Sequence, residues 1–354
     1  MHILAMKKLT FTLILSALLG TAAQAQVTTT PVGFLSMQIA GNTGSGQPAY
    51  TFASLGLTNP VTFQSTITSV TTNTIGDTSA SWADNAYNST TSGVPPTYYI
   101  EILSGAASGT ILDVVSTAGT AQTLTLATNS ASLPSLGVTT GTSYSIRQHW
   151  TIASVFGTST LQGGSSTTAD QVQLFRNGNY ISYYYQSGTS RGLQNTWVQS
   201  GVPNSDAGNT VIYPDDGILI ARSQSSGVSI VLTGSVKTGQ TSIPVESGYT
   251  LLGNVYAAGM TLSTSNLFTG NTATGVAGGS STTADQVMFW NGSNFVSYYY
   301  QSGTARGIQN AWVQAGVPNT DAGSTSIPAG AALFVLRNGS PFYWVAPQFP
   351  PSFN

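Results

Sequence analysis

The sequence contains no cysteine among its 354 residues, and charged residues make up only 6% of it. The missing cysteine excludes disulfides, iron–sulfur clusters, thiolate zinc sites and lipid attachment at an N-terminal cysteine. The charged fraction is far below the ~25% of an ordinary globular protein. Solubility must therefore depend on serine, threonine, asparagine, glutamine and glycine, a composition typical of many extracellular β-proteins.

Basic residues and long apolar runs are scarce after the first 25 residues. Those 25 contain Lys7 and Lys8, which leaves seven basic residues against eleven acidic ones, a formal net charge of −4, and Lys237 as the last lysine. Because nucleic-acid phosphates require a basic stripe, we expect no nucleic-acid partner. No later apolar run approaches transmembrane length, so we expect no transmembrane segment in the mature chain.

The first 25 residues have the pattern of a secretory signal peptide. Lys7 and Lys8 form a positive segment, Leu9–Leu19 is an apolar run of 11 residues, and Ala23–Ala25 offers a small-x-small cleavage site. Eleven residues are too few to span a bilayer, which takes about 20. We therefore assign 1–25 as a signal peptide. We expect export to the periplasm, the cell surface or the medium after cleavage near Ala25.

A long segment of the chain occurs twice. Residues 163–222 and 278–337 align without a gap, and 36 of the 60 positions are identical. Such a tandem duplication predicts two equivalent structural units. It also allows an internal comparison between positions that the two copies share and positions at which they differ.

Strand and turn signals dominate the chain after the leader. Asn177-Gly178 and Asn291-Gly292 each separate two apolar stretches, and Asn-Gly supplies the positive φ of a tight hairpin turn. The flanking positions change identity between copies while staying apolar, for example Phe175 to Trp290 and Tyr180 to Phe295, as expected of core residues. These patterns predict an all-β fold.

The predicted architecture is two tandem antiparallel β-sandwich or barrel-like units. We assign the first unit to 31–61 plus 148–225, the second to 226–345, and a tail to 346–354. The first unit is longer because residues 62–147 contain short alternating strands of their own, separated by Gly, Ser and Thr turns. This segment predicts a small inserted β-barrel-like domain.

Six short motifs follow one another along the chain after the leader: PVGF, YYIEILSGAASG, IRQHWT, ADQV, WVQSG and PDDGILIAR. In this order they resemble a family of exported proteins of unknown function from Verrucomicrobia-like bacteria. The resemblance covers nearly the whole mature chain. It implies export and the architecture above, and it implies no catalytic residue.

Familiar catalytic motifs are missing from the sequence. His149 is the only histidine after the leader, and no GxSxG elbow or GK[ST] phosphate loop is present. A lone histidine without a motif is usually a packed or capping residue. We therefore predict no catalytic residue, no cofactor and no enzymatic activity.

Two acids and two arginines recur at equivalent positions of both copies. Because each copy keeps the same acids together with the same arginines, we predict Asp–Arg pairs or turn caps within each unit. A glycosidase needs only two carboxylates, but a complete active site in both copies would be unusual. No metal site is predicted, although a weak calcium site at 203–209 or 318–324 stays open, with one carboxylate in each loop. The eight residues are Asp170, Arg191, Asp206, Arg222, Asp285, Arg306, Asp321 and Arg337.

Aromatic residues are the remaining candidates for ligand binding. Strand alternation places Tyr184 opposite to Tyr183 and Tyr185, so Tyr184 and its equivalent Tyr299 are expected on an outer face, where a ring can stack on a sugar or another chain. The same role is open to Trp197 and Trp312, but a large ring beside Val and close to a Gly turn is more often a buried anchor.

The sequence therefore favours an exported, non-enzymatic β-repeat protein with a structural or adhesive role at the cell surface or outside the cell. A carbohydrate-binding module is the alternative, and a glycan-cleaving enzyme is the second alternative. The expected partners are a surface glycan or other copies of the same chain.

Overall fold

The computed structural model describes residues 31–44, 47–88, 97–188, 192–303 and 307–347. The predicted signal peptide, most of the predicted tail, and both Arg191 and Arg306 lie outside the described residues. The described part of the chain is built from antiparallel strands and one short helix, which confirms the all-β prediction. Within the described ranges, no helix is long and apolar enough to cross a membrane.

The elements follow in chain order. The first repeat begins with β1 (Val32–Ile39) and β2 (Ala49–Ala53). The inserted domain contains β3 (Val61–Thr66), β4 (Ser69–Val70), β5 (Thr74–Gly76), β6 (Tyr98–Ile102), β7 (Ile111–Ala118), β8 (Thr123–Leu126) and β9 (Ser143–Gln148). The first repeat resumes with β10 (Trp150–Thr151), α1 (Ile152–Phe156), β11 (Gln171–Arg176), β12 (Asn179–Gln186), β13 (Thr196–Gln199), β14 (Val202–Asp206), β15 (Val211–Ile212), β16 (Ile218–Arg222) and β17 (Val228–Ser235). The second repeat contains β18 (Thr241–Val245), β19 (Gly248–Gly253), β20 (Met260–Thr261), β21 (Gln286–Trp290), β22 (Phe295–Gln301), β23 (Ala311–Gln314), β24 (Ser326–Ile327), β25 (Ala332–Arg337) and β26 (Phe342–Ala346).

Both repeats have the same antiparallel sheet. The first is ordered β14-β13-β12-β11-β16-β2 and the second β23-β22-β21-β25-β19, so the duplicated strands occupy equivalent places. The predicted hairpins are β11–β12 and β21–β22, paired in the same register, with Val172 opposite Tyr183 and Val287 opposite Tyr298. The duplication in the sequence is therefore a duplication of structure.

A two-stranded ribbon packs on one face of each sheet and completes a sandwich. The ribbons are β1–β17 in the first repeat and β18–β26 in the second. Met37 and Leu232 of the first ribbon lie in one core with Val172 of the sheet, and Trp344 of the second ribbon lies in another with Val287. Burial of these alternating apolar residues is the main force that holds each sandwich together.

The predicted boundary between the two units was wrong by one strand. Residues 228–235 were assigned to the second unit, but they form β17, which pairs with β1 from Val32 opposite Ser235 to Ile39 opposite Val228. The first unit therefore ends after Ser235. Apolar alternation identifies a strand but not its partner, which is chosen by long-range pairing.

The inserted domain has the predicted position and its own core. Its strands run from Val61 to Gln148 and form a seven-stranded antiparallel sheet, β3-β9-β6-β7-β8-β5-β4. The sheet stays open rather than closing into a barrel, because β3 and β4 are not paired with each other. The first and last strands, β3 and β9, are paired, so the chain enters and leaves the domain at one place.

Candidate functional site

The four aromatic residues proposed from the sequence to bind a ligand are all buried. The expectation that Tyr184 and Tyr299 are exposed was wrong, since each is only 3% exposed. Both do point away from their repeat's main core, as alternation predicted, but Ala169 covers one ring and Ala284 the other. Each hydroxyl donates a hydrogen bond of 2.9 Å to the glutamine two residues further on.

A loop with the sequence GGSSTTA covers each of these tyrosines. In the first repeat it joins the sheet through a bridge from Gly164 to Gln186, and in the second through a bridge from Gly279 to Gln301. Strand periodicity cannot reveal such a cover, because the covering loop lies outside the strand that carries the tyrosine. Tyr184 and Tyr299 are therefore structural residues.

Trp197 and Trp312 are buried anchors, which was the favoured interpretation of their sequence context. Trp197 lies 6.0 Å from the ring of Phe156, and its Nε1 donates a hydrogen bond of 2.7 Å to the carbonyl oxygen of Gly157. Trp312 occupies the equivalent place in the second core. Neither ring is available to a ligand.

One acid and one arginine of each repeat form a structural pair of the predicted kind. Asp170 is paired with Arg222, and Asp285 with Arg337 at 2.5 Å, and all four side chains are buried. Each carboxylate also accepts hydrogen bonds from two backbone N–H groups. These pairs fasten the GGSSTTA loops to the C-terminal ends of β16 and β25.

Asp206 and Asp321 are turn caps. Asp206 accepts a hydrogen bond of 2.8 Å from the N–H of Gly208, and Asp321 accepts one of 2.7 Å from the N–H of Gly323. An Asx-type turn accounts for both carboxylates. In the part of the chain that the structure describes, no group of three or more His, Asp or Glu side chains is placed to hold a metal ion.

The inserted domain contacts the rest of the molecule through a polar face of its sheet. Ile100, Ile102 and Ile146 point into the insert's core, so alternation places Tyr99, Glu101, Asp113 and Arg147 on the opposite face. Glu101 contacts both Lys237 and Arg147, the latter with Nε at 3.3 Å from Oε2. Burial lowers the pKa of Lys237 to about 7.

A second part of this polar contact surrounds His149. Its Nε2 lies 2.8 Å from Oδ1 of Asp113, whose Oδ2 accepts a hydrogen bond of 2.9 Å from the hydroxyl of Tyr213. The imidazole is buried, with the rings of Tyr99 and Tyr213 at 4.7 and 5.1 Å. His149 is therefore a packed residue, which agrees with the interpretation of a lone histidine.

Two acids next to Tyr213 complete the contact. Asp216 is paired with Arg176, while burial, and then repulsion by Asp216, raises the pKa of Asp215 to about 6. The sequence held a signal for this region, since Arg176, Asp215 and Asp216 have no charged counterpart in the second copy. Only the first repeat carries the insert, and these unmatched charges lie where the insert meets it.

Eight aromatic rings form a surface where the two repeats meet, which we call the junction aromatic surface. The rings belong to Tyr50, Phe52, Phe175, Tyr180, Tyr249, Trp290, Phe295 and Phe334. They project from the sheet faces that point away from each repeat's own core. Phe175, for example, follows Leu174, which lies in the first core.

Phe334 is the centre of this surface. It is buried, and its ring centroid lies 5.4 Å from Phe175, 5.5 Å from Phe295 and 6.0 Å from Tyr249. The rings around it are more accessible: Tyr50, Tyr180, Tyr249 and Phe295 are between 37% and 52% exposed. The surface thus joins the repeats through its centre and presents aromatic rings to solvent at its rim.

The two hairpin turns add amide groups beside these rings. Tyr180 pairs with Phe175 next to the turn at Asn177, and Phe295 pairs with Trp290 next to the turn at Asn291. The asparagines of both turns are exposed. Amides both donate and accept hydrogen bonds without carrying charge.

These aromatic residues lie elsewhere than the sequence pattern predicts. Phe175, Trp290, Tyr180 and Phe295 were expected in the core of each unit, but they lie between the units. Their alternation with core residues such as Leu174 was a usable signal. It shows that they face away from the core, although it does not show that a second sheet lies opposite.

No protein-family model, curated protein or solved structure significantly matches this chain. The fold and the site define a class of protein in physical terms. It is an all-β protein with two equivalent sandwiches, an inserted β-domain, buried charge pairs and an exposed surface of rings and amides.

Proposed function

We propose that the protein is an exported, non-enzymatic β-repeat protein with a structural or adhesive role at the cell surface or outside the cell. We propose further that the junction aromatic surface makes its contact with a partner. The observation that supports this most is the rim of accessible rings, contributed by both repeats, beside exposed amides.

The distribution of charge supports a neutral partner. Many of the few charged side chains are buried in internal pairs, including Glu101, Lys237, Asp170 and Arg222. A surface with little charge does not attract a charged partner over a distance. Rings and amides instead favour close contact with uncharged apolar and hydroxyl-bearing surfaces.

The same surface favours carbohydrate binding as the second candidate function. The C–H faces of a neutral sugar can lie against rings such as Tyr249 and Phe295, and its hydroxyls can bond to the turn amides. This proposal uses different rings from those selected in the sequence, because Tyr184 and Trp197 are buried.

Glycan cleavage has weaker support. The repeated acids Asp170 and Asp285 are buried, and each is paired with an arginine. Catalytic carboxylates of a glycosidase must instead face each other across a cleft that admits a sugar and a water. Asp206 and Asp321 hold turns. Incubation of the exported protein with neutral polysaccharides, followed by a reducing-end assay, should therefore release no new ends.

Retention on surfaces tests the proposed contact. The exported protein and a Tyr180→Ala/Tyr249→Ala variant are compared on washed cells of the producing organism and on insoluble neutral polysaccharides. Tyr343→Ala is the matched control, because Tyr343 is 55% exposed, close to the 52% of Tyr249, and does not belong to the surface. We expect the double variant to bind at least about tenfold more weakly, and the control to bind like the wild type.

Two further results decide between the outcomes. Equal retention of the double variant and the wild type would contradict the proposed contact. Competition by soluble neutral oligosaccharides would favour the carbohydrate-binding alternative, whereas retention that resists both competition and periodate treatment of the cells would favour a protein partner. Thermal unfolding of each variant checks that the fold is retained.

A further inference from the structure

The ribbon of the first repeat presents an open edge. Its strand β1 pairs with β17 over eight consecutive positions without a bulge. Leu35, Met37 and Ile39 point toward the core, whereas Val32, Phe34, Ser36 and Gln38 are exposed. The exposed face of β1 carries no charge.

This face holds the most exposed large hydrophobic side chains of the described residues. Phe34 is 77% exposed, Val32 70% and Val231 of the neighbouring strand 63%. Val231 lies opposite Ser36, so it is a diagonal neighbour of Phe34 on the same face. A contiguous apolar patch of this kind on a soluble protein usually marks an interaction site.

The backbone of β1 is also available. Half of its N–H and C=O groups point toward β17, and the other half point outward. Within the described ranges, no main-chain hydrogen bond reaches the outer edge of β1 between Val32 and Ile39. The nearest outward-pointing group with a partner is the N–H of Ala40, just after β1, which donates to the side-chain hydroxyl of Thr51, whereas the N–H of Val236 bonds to Pro31 as a continuation of the β1–β17 ladder.

The equivalent ribbon of the second repeat is protected. Its strand β18 contains Pro244 and is followed by Glu246, and its ladder is only five residues long. The outer edge of β18 is covered by the insert, because the N–H of Ser242 donates a hydrogen bond of 3.0 Å to the carbonyl oxygen of Gly109. Proline, charge, short length and a covering loop are the devices by which proteins prevent edge pairing. Within the described ranges, β1 itself contains no proline and no charged residue, its ladder is eight residues long, and no main-chain hydrogen bond from another segment covers its outer edge.

We propose that the β1 edge pairs antiparallel with the β1 edge of a second copy of the chain. Two copies related by a twofold axis offer each other identical unpaired groups, and the ladder becomes β17-β1-β1′-β17′. Although the mature chain is negative overall, β1 is uncharged, so its approach to another β1 meets no like-charge repulsion. We place the twofold axis beside Phe34, so that Phe34 of one copy lies opposite Phe34 of its partner and Val32 lies diagonally next to it.

The proposal goes beyond the adhesive contact and does not depend on it, because the β1 edge and the junction aromatic surface share no residue. The contact is small, in the range of weak interfaces below about 1,200 Å². We therefore expect reversible dimers with a dissociation constant in the micromolar range.

Sedimentation velocity of the full exported chain over a range of concentrations tests the proposal. Phe34→Lys and Phe34→Glu should each weaken dimerisation at least about tenfold, since two like charges would face each other. An equimolar mixture of the two variants should restore the dimer, because opposite charges then meet. Tyr343→Lys, on the exposed face of the protected ribbon, should dimerise like the wild type.

Three results would overturn the proposal. The first is a wild type that stays monomeric up to about 100 µM, as expected if another segment or another protein occupies the edge. The second is a dimer that Phe34→Lys leaves unchanged. The third is a loss in both charged variants that mixing does not restore. Unaltered thermal unfolding is expected for each variant because Phe34 is exposed, and unchanged retention on cells would separate this contact from the adhesive one.

Discussion

Replacement of Asp285 by asparagine should strongly destabilise the second repeat. The carboxylate is buried and accepts hydrogen bonds from Arg337 at 2.5 Å, the N–H of Ala277 at 2.7 Å and the N–H of Asn338 at 2.8 Å. Asparagine keeps one acceptor oxygen but places an NH₂ donor against these donors. It also leaves the buried guanidinium of Arg337 without its counter-charge.

The expected cost is about 3 to 5 kcal/mol, the usual penalty for breaking a buried ion pair from one side. A typical domain has only about 5 to 15 kcal/mol of stability, so the repeat would be near its unfolding threshold. Urea unfolding followed by tryptophan fluorescence and circular dichroism measures the loss as a shift in midpoint.

Two matched variants make the test specific. Asp170→Asn breaks the equivalent pair in the first repeat and should cost a similar amount. Asp321→Asn alters an exposed turn cap with a hydrogen bond to Gly323, and should cost about 1 kcal/mol. A loss below about 1 kcal/mol for both buried acids would refute the reasoning that these pairs hold the repeats together.

Three other predictions follow from the same structure. Trp197→Ala should cost about 3 to 5 kcal/mol in urea unfolding, because it empties a buried site beside Phe156; an unchanged midpoint would contradict the anchor role. Glu101→Gln should cost about 3 to 5 kcal/mol, since it leaves Arg147 and Lys237 without their buried counter-charge; hydrogen exchange should show the insert's contact face opening first, and uniform exchange would count against a role in docking. Burial raises the pKa of Asp215 from 3.8 to about 6, so the folded protein binds the proton of this carboxyl more tightly than the unfolded chain does. The stability gained from that proton is fully present below pH 3.8 and is lost as the pH rises through about 6. Asp215→Asn should therefore be more stable than the wild type at pH 7, by about 1 to 2 kcal/mol after allowance for partial exposure, and no more stable at pH 4; a difference independent of pH would contradict the assignment.

Local sequence patterns predicted the features that depend on local structure. The duplication, the hairpins at Asn177 and Asn291, the limits of the insert and the burial of Trp197 all follow from periodicity, turn chemistry or repetition. The pairs Asp170–Arg222 and Asp285–Arg337 were also foreseeable, because matched charges recur in both copies.

Features that depend on long-range packing were not predictable in this way. Alternation gave the correct orientation of Tyr184, but the covering loop comes from residues 163–169. In the same way, residues 228–235 were assigned to the second unit because the pairing of β17 with β1 was not foreseen. The junction aromatic surface depends on two sheets meeting face to face, and the sequence of neither copy specifies that meeting.

The most direct measurement is oxidative footprinting of the protein, free and after incubation with cells of the producing organism. We expect Tyr180, Tyr249 and Phe295 to become protected from oxidation on binding, while Tyr343 reacts equally in both states. Equal oxidation of the three rim rings in the free and bound protein would contradict the proposal that the junction aromatic surface makes the contact.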